Sequence, residues 1–221
     1  MEQAESITLD QWNLPGTDLE RQNWDVPPQR DRRVEGKFRQ NFARSGTSVL
    51  FRLFNGHFLA IKRHQRKKAL PEQVIDLTFV EPRPREVKYQ GYGLWFAAVC
   101  LLTVPAFTYS LVPLPASWLL APLLAGVALM VVAARLRRHR FDFLALNSDV
   151  VLFSVDATVS DEATVTAFVE AVCRAIALGQ RQLPDGKRRV PLAVTEMRRL
   201  SRDGVITGDQ YETIKGAWFR I

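Results

Sequence analysis

The chain has 221 residues, with 30 Lys+Arg against 23 Asp+Glu, a formal net charge of +7, 47% hydrophobic and 24% charged residues. Two cysteines and an ordinary balance of apolar and charged residues exclude a disulfide-stapled secreted domain, a collagen-like or low-complexity chain, and a wholly disordered one. The charge is unevenly spread: the 46 residues 89–134 contain no Asp, Glu, Lys or Arg.

Residues 1–45 are polar and proline-containing, with no sustained helical or strand period, and read as an extended, partly disordered arm. Trp12 and Trp24 stand among charges there and are candidate partner anchors. No apolar signal-peptide core is expected in this segment.

Residues 46–88 read as the first half of a cytoplasmic β domain. Thr47–Phe54, the pair Asn55-Gly56 and His57–Arg63 predict a hairpin, because Asn-Gly supplies the two positive-φ positions of a type I′ turn. A third strand is expected at Gln73–Val80, where Ile75, Leu77 and Phe79 alternate with Asp76 and Thr78.

The charge-free run predicts a transmembrane helical hairpin over 89–136, with spans at about 91–111 and 116–136, since a span needs about 20 apolar residues. Pro113 and Pro115 break the helix between them. Tyr89, Tyr92 and Trp95 mark one expected membrane interface, and Tyr109 and Trp118 the other. Lys and Arg flank the run on both sides, including Arg135, Arg137, Arg138 and Arg140, whereas the connector is uncharged. The expectation is a bacterial inner-membrane, two-pass protein with both termini cytoplasmic and its basic residues against anionic lipid headgroups.

Residues 137–180 read as the second half of the β domain, with a hairpin across Asn147-Ser148-Asp149 and a helix from about Ser160 to Leu178. Val165, Phe168, Val169, Val172 and Ile176 share one helical face, Ser160 is the expected N-cap and Gly179 the expected C-terminal cap. Strands 47–80 and 140–155 are expected in one antiparallel sheet covered by this helix. That order of strands and helix resembles a pleckstrin-homology-type (PH-like) module. The expected fold class is therefore α+β, a cytoplasmic sheet plus helix interrupted by the transmembrane hairpin and followed by a C-terminal helical hairpin.

Residues 190–221 read as that terminal hairpin. Gly204 ends its first helix, and Thr207 with Gln210 forms a capping box for the second. Leu200, Asp203, Gly204, Val205, Ile206, Thr207, Tyr211 and Lys215 resemble the short C-terminal helical-hairpin domain SHOCT, common in bacterial membrane proteins. The resemblance implies oligomerisation or a partner contact, with Leu200, Ile206, Tyr211, Ile214 and Trp218 as contact candidates.

No catalytic, metal-binding or cofactor motif is present. His57, His64 and His139 lack nucleophile or ligand partners at usable spacing, and Asp142, Asp149 and Asp156 fall at ordinary turn or outward positions. Cys100 and Cys173 read as small buried side chains. No nucleic-acid recognition pattern accompanies the charge. The expected function is a membrane-anchored, non-enzymatic interaction or scaffold protein, a homo-oligomer or partner-binder. The alternative is an accessory subunit of a larger membrane complex or transporter, packed through Gly93, Ala97, Ala98, Ala125, Gly126 and Ala133.

Overall fold

A computed structural model describes residues 25–220 except 44, 66, 67 and 112–116, and no side chain is described at 106, 108–111 or 117–119. The chain is α+β, with two antiparallel sheets and five helices among the described residues. The first sheet joins β1 (Val34–Phe42), β2 (Thr47–Phe54) and β3 (Phe58–Gln65) as a meander. β4 (Lys68–Ala69) and β5 (Gln73–Asp76) both pair with the far edge of β3. Asn55 and Gly56 turn the β2–β3 hairpin at positive φ, 48° and 80°, as the Asn-Gly pair predicts, but Phe54 pairs with Phe58, so the loop is three residues long and His57 belongs to it instead of opening β3.

The second sheet is β6 (Arg85–Tyr89), β7 (Arg138–Leu144) and β8 (Val151–Asp156). The single sheet expected from the strand pattern is therefore two. After β5 the chain coils into a 3-10 turn, Leu77–Phe79, all three residues buried, which ends the first sheet and redirects the backbone to the second. The sheets touch through the bridge between Val80 and Ala145 and through Leu146 N–H donating to the Phe79 carbonyl at 2.8 Å. Gln40, 1% exposed, completes the join: its side-chain amide donates to the Asp156 carbonyl and accepts from the Asp156 N–H.

Helix α1 (Tyr92–Leu111) and helix α2 (Ser117–Leu136) form a hairpin inserted between β6 and β7, which pair directly, Tyr89 opposite Arg138. Ala98 and Ala133 are fully buried along the seam between them. Gly126 lies there too, since a Cβ on it would meet Leu102 at 2.8 Å. Small residues let two helices approach closely, and here they serve contacts inside the hairpin.

The expected transmembrane hairpin is overturned on one point: among the described residues, no helix is long and apolar enough to cross a membrane. The two-pass topology, the inner-membrane location and the cytoplasmic placement of both termini rested on that span and fall with it.

Helix α3 (Glu162–Gln180) covers the join between the sheets. Its N-cap is Asp161, one residue beyond the expected Ser160, and Asp161 accepts from the Thr164 N–H at 3.2 Å. Val165, Phe168, Val169, Val172 and Ile176 are buried, on the face their spacing predicts. Phe168 stacks on Phe38 at 4.6 Å between centroids, tying α3 to β1. Gly179 is not the cap; it lies inside the helix, where a Cβ would stand 2.4 Å from Thr78 Oγ1. It lets α3 close onto the 3-10 turn.

Helices α4 (Arg189–Arg202) and α5 (Gly208–Trp218) end the chain. Gly204 turns at φ 69°, and the Thr207–Gln210 capping box forms with both of its hydrogen bonds. Leu200, Ile206, Ile214 and Trp218 join the same core cluster as the sheets and α3.

Candidate functional site: an apolar hairpin on a basic base

The expected contact residues separate into two groups. Leu200, Ile206, Ile214 and Trp218 are at most 4% exposed, so the chain's own core occupies them. Tyr211 is half-buried, with the Lys215 ammonium 5.5 Å from its ring centre. Trp12 and Trp24 lie outside the described residues, and the side chains of Tyr109 and Trp118 are not described.

The α1–α2 hairpin is different. Tyr92, Phe96, Val104, Phe107, Leu120 and Leu124 are each at least 58% exposed. Exposed Leu123, Val127, Val131 and Val132 extend the surface along α2. An isolated exposed leucine is ordinary, but a contiguous apolar surface on this scale marks an interaction site. Helices of uniform apolarity have no polar face to turn to water. Of the small residues expected to face a partner, Ala98, Gly126 and Ala133 are used within the hairpin, while Gly93 and Ala125 remain exposed.

At the base of the hairpin the character inverts. Lys88, Arg135, Arg137, Arg138 and Arg140 are all exposed where α1 leaves β6 and α2 enters β7. Strand register brings Lys88 opposite His139 and Val87 opposite Arg140. Glu86 Oε1 lies 2.7 Å from both Lys88 Nζ and His139 Nε2. The Lys88 hydrogen bond, with that of His139, holds the Glu86 carboxyl below the usual carboxylate range. Arg140 Nε reaches Asp142 Oδ1 at 3.1 Å. Asp142 is 3% exposed, not at an outward position. Arg137 and Arg138 make no ion pair among the described residues. Tyr89, 54% exposed, and half-buried Trp95 stand beside this base.

A second polar group lies within the fold, where α4 meets β5. Asp76 is 1% exposed; its Oδ1 accepts from Thr78 N–H at 2.9 Å, and its N–H donates to Glu196 Oε1 at 3.2 Å. Arg199 donates from Nη2 to Glu196 Oε1 at 2.6 Å and to the Val74 carbonyl at 2.8 Å, and from Nη1 to Asp203 at 2.9 Å. Arg199 thus pairs directly with Glu196, while buried Asp76 feels the guanidinium only through its charge. Burial, reinforced by the Glu196 charge, pushes the Asp76 carboxyl up to about 7. His57 is buried nearby on the β2–β3 turn, not solvated as its turn position implies, and burial lowers its imidazole below the ordinary value. The sequence offers no signal for this cluster beyond the acids themselves, because Asp76 and Glu196 lie 120 residues apart.

Among the described residues no group of His, Cys, Asp and Glu has the arrangement of a metal site. Comparison with known proteins found no matching family model, no matching curated protein and no matching solved structure.

Proposed function

We propose that the protein is a non-enzymatic assembly module, in which the α+β body presents the α1–α2 hairpin to apolar helices of a partner protein. The observation that supports this most strongly is the set of exposed apolar side chains on both helices, Tyr92, Phe96, Val104 and Phe107 on α1 and Leu120, Leu124, Val127 and Val131 on α2. Water would order against that surface at a cost of roughly 25 cal/mol per Å², and a partner of matching character removes it. The terminal hairpin contributes to the body, since its apolar residues are spent in the core. Its half-buried rim, with Tyr211 and Lys215, is the part left to contact a partner.

The test is photo-crosslinking of the full chain in its host, with the crosslinking residue at Phe96 or Leu124 and a control at exposed Arg181. Adducts to one discrete partner protein from the first two positions, absent from the third, support the reading. A ladder of self-adducts assigns the hairpin to a homo-oligomer. Adducts only to lipid, with no protein partner from either position, contradict a protein-docking role.

A further inference from the structure

A cleft of about 450 Å³ opens at the base of the hairpin, lined by Lys88, Tyr89, Gln90, Ala134, Arg137 and Arg138, with His139, Thr158 and Glu162 closing it. Three separate stretches build it: the end of β6, the junction of α2 with β7, and the segment leading into α3. The walls are fixed. His139 N–H donates to Thr158 Oγ1 at 2.9 Å, and Ala157 N–H donates to the His139 carbonyl at 2.7 Å, so the approach to α3 is fastened to β7. The β6–β7 ladder fastens the other side.

The charge in the cleft is one-sided. Lys88, Arg137 and Arg138 face a single lining carboxylate, Glu162, while Glu86 outside the cleft holds Lys88 and His139. Arg137 and Arg138 carry guanidinium forks without an ion pair among the described residues. A volume of 450 Å³ suits a small ligand or one headgroup. Guanidinium forks match the oxygens of a phosphate group in geometry and in charge, and a nearby ammonium adds a point charge. The tyrosine ring of Tyr89 gives the cleft an apolar shoulder on the hairpin side.

We propose that this cleft binds a phosphate group, with Arg137 and Arg138 as the main ligands and Lys88 assisting. The bound chemistry is a phosphomonoester or phosphodiester anion, carried by a free solute or by a lipid headgroup. Glu162 opposes the anion and sets an upper limit on affinity. This inference is independent of what the apolar faces of the hairpin dock against.

The experiment uses the full chain in neutral maltoside micelles and titration calorimetry. The probes are inorganic phosphate, phosphatidylglycerol doped into the micelles, and uncharged diacylglycerol doped at the same fraction. Saturable binding of at least one phosphate probe, and none of diacylglycerol, is expected. Arg137→Gln with Arg138→Gln should weaken it by about tenfold or more, the scale of losing charge-assisted hydrogen bonds. Both side chains are exposed, so the fold does not depend on them. Glu162→Gln should tighten binding several-fold, a gain that damage to the fold would not produce. Lys187→Gln, on a remote turn, should change nothing. Phosphatidylglycerol binding without inorganic phosphate binding identifies the lipid headgroup as the source; binding of inorganic phosphate identifies a free solute as sufficient. Binding of neither, equal binding of diacylglycerol, or arginine variants that bind like the parent would overturn the proposal.

Discussion

The molecule contains two helical hairpins that resolve the same problem in opposite ways. In α4–α5 the apolar residues recur on one face of each helix, and Ala193, Met197, Leu200, Ile214 and Trp218 all enter the core. In α1–α2 apolar residues cover every face, so among the described residues pairing the helices buries Ala98, Gly126 and Ala133, half-buries neighbours such as Trp95, Leu101 and Leu102, and leaves Phe96, Phe107, Leu120 and Leu124 exposed. Periodicity decides whether a helix is satisfied by its own chain; apolar content alone does not. The terminal hairpin is accordingly part of the fold, and the inserted hairpin is the part that calls for something outside it.

Truncation should separate the two most sharply. Trp218→Ala, removing a 3%-exposed ring, should destabilise the body by about 3–5 kcal/mol in chemical denaturation. Phe96→Ala, at 73% exposure, should change it by less than about 0.5 kcal/mol. Equal losses at both sites would dissolve the contrast.

The attachment of α4 to the sheet should depend on pH. The Asp76 carboxyl binds its proton more tightly in the folded state, at about 7, than in the unfolded chain, at about 3.9. Its contribution is therefore full below the unfolded value and is lost as pH rises through 7. Glu196 and Arg199 on α4, Thr78 on its own turn and His57 on the adjacent turn are the groups that surround it. Asp76→Asn should flatten the decline in stability between pH 4 and 8, an effect on the order of a few kcal/mol, read from denaturation midpoints across that range. An unchanged pH profile in the variant would show that another group governs it.

Gly179→Ala should cost about 1–3 kcal/mol, because its Cβ would enter Thr78 Oγ1 and approach the Thr78 backbone at 3.2 Å. Gly93→Ala, on the inserted hairpin with nothing within 4 Å, should be neutral or slightly stabilising to its helix. At the terminal hairpin's cap, Thr207→Ala should lose about 1 kcal/mol, with protection from hydrogen exchange falling first in α5.

Much of this was legible from local chemistry. Asn55-Gly56, Gly204 and the Thr207–Gln210 box each specify a turn or cap within a few residues; the last two form as read, and the first turns the chain where expected with one residue more in its loop. The inward face of α3 follows from its spacing. What escaped was long-range. Strand β1 reads as a polar arm because its inward position Gln40 is an amide, satisfied only by the Asp156 backbone 116 residues away. Strand β6, Arg-Glu-Val-Lys-Tyr, shows one half-buried apolar residue among charges and is held by pairing with β7. His57 sits beside a turn yet is buried, because the absent side chain of Gly179 admits α3 against it. The basic run at the hairpin base was visible, but the cleft was not, since Thr158 and Glu162 reach it from beyond β8.

The register of β6 and β7 supplies the most direct test of the division between body and hairpin. Tyr89 and Arg138 are paired neighbours, so residues 90–137 can be replaced by a two-residue Asn-Gly turn that closes the same ladder. Circular dichroism and size-exclusion light scattering of that variant, without detergent, should show a folded, cooperatively unfolding monomer. An aggregated or unfolded product would contradict the account, because the hairpin would then be needed to build the body.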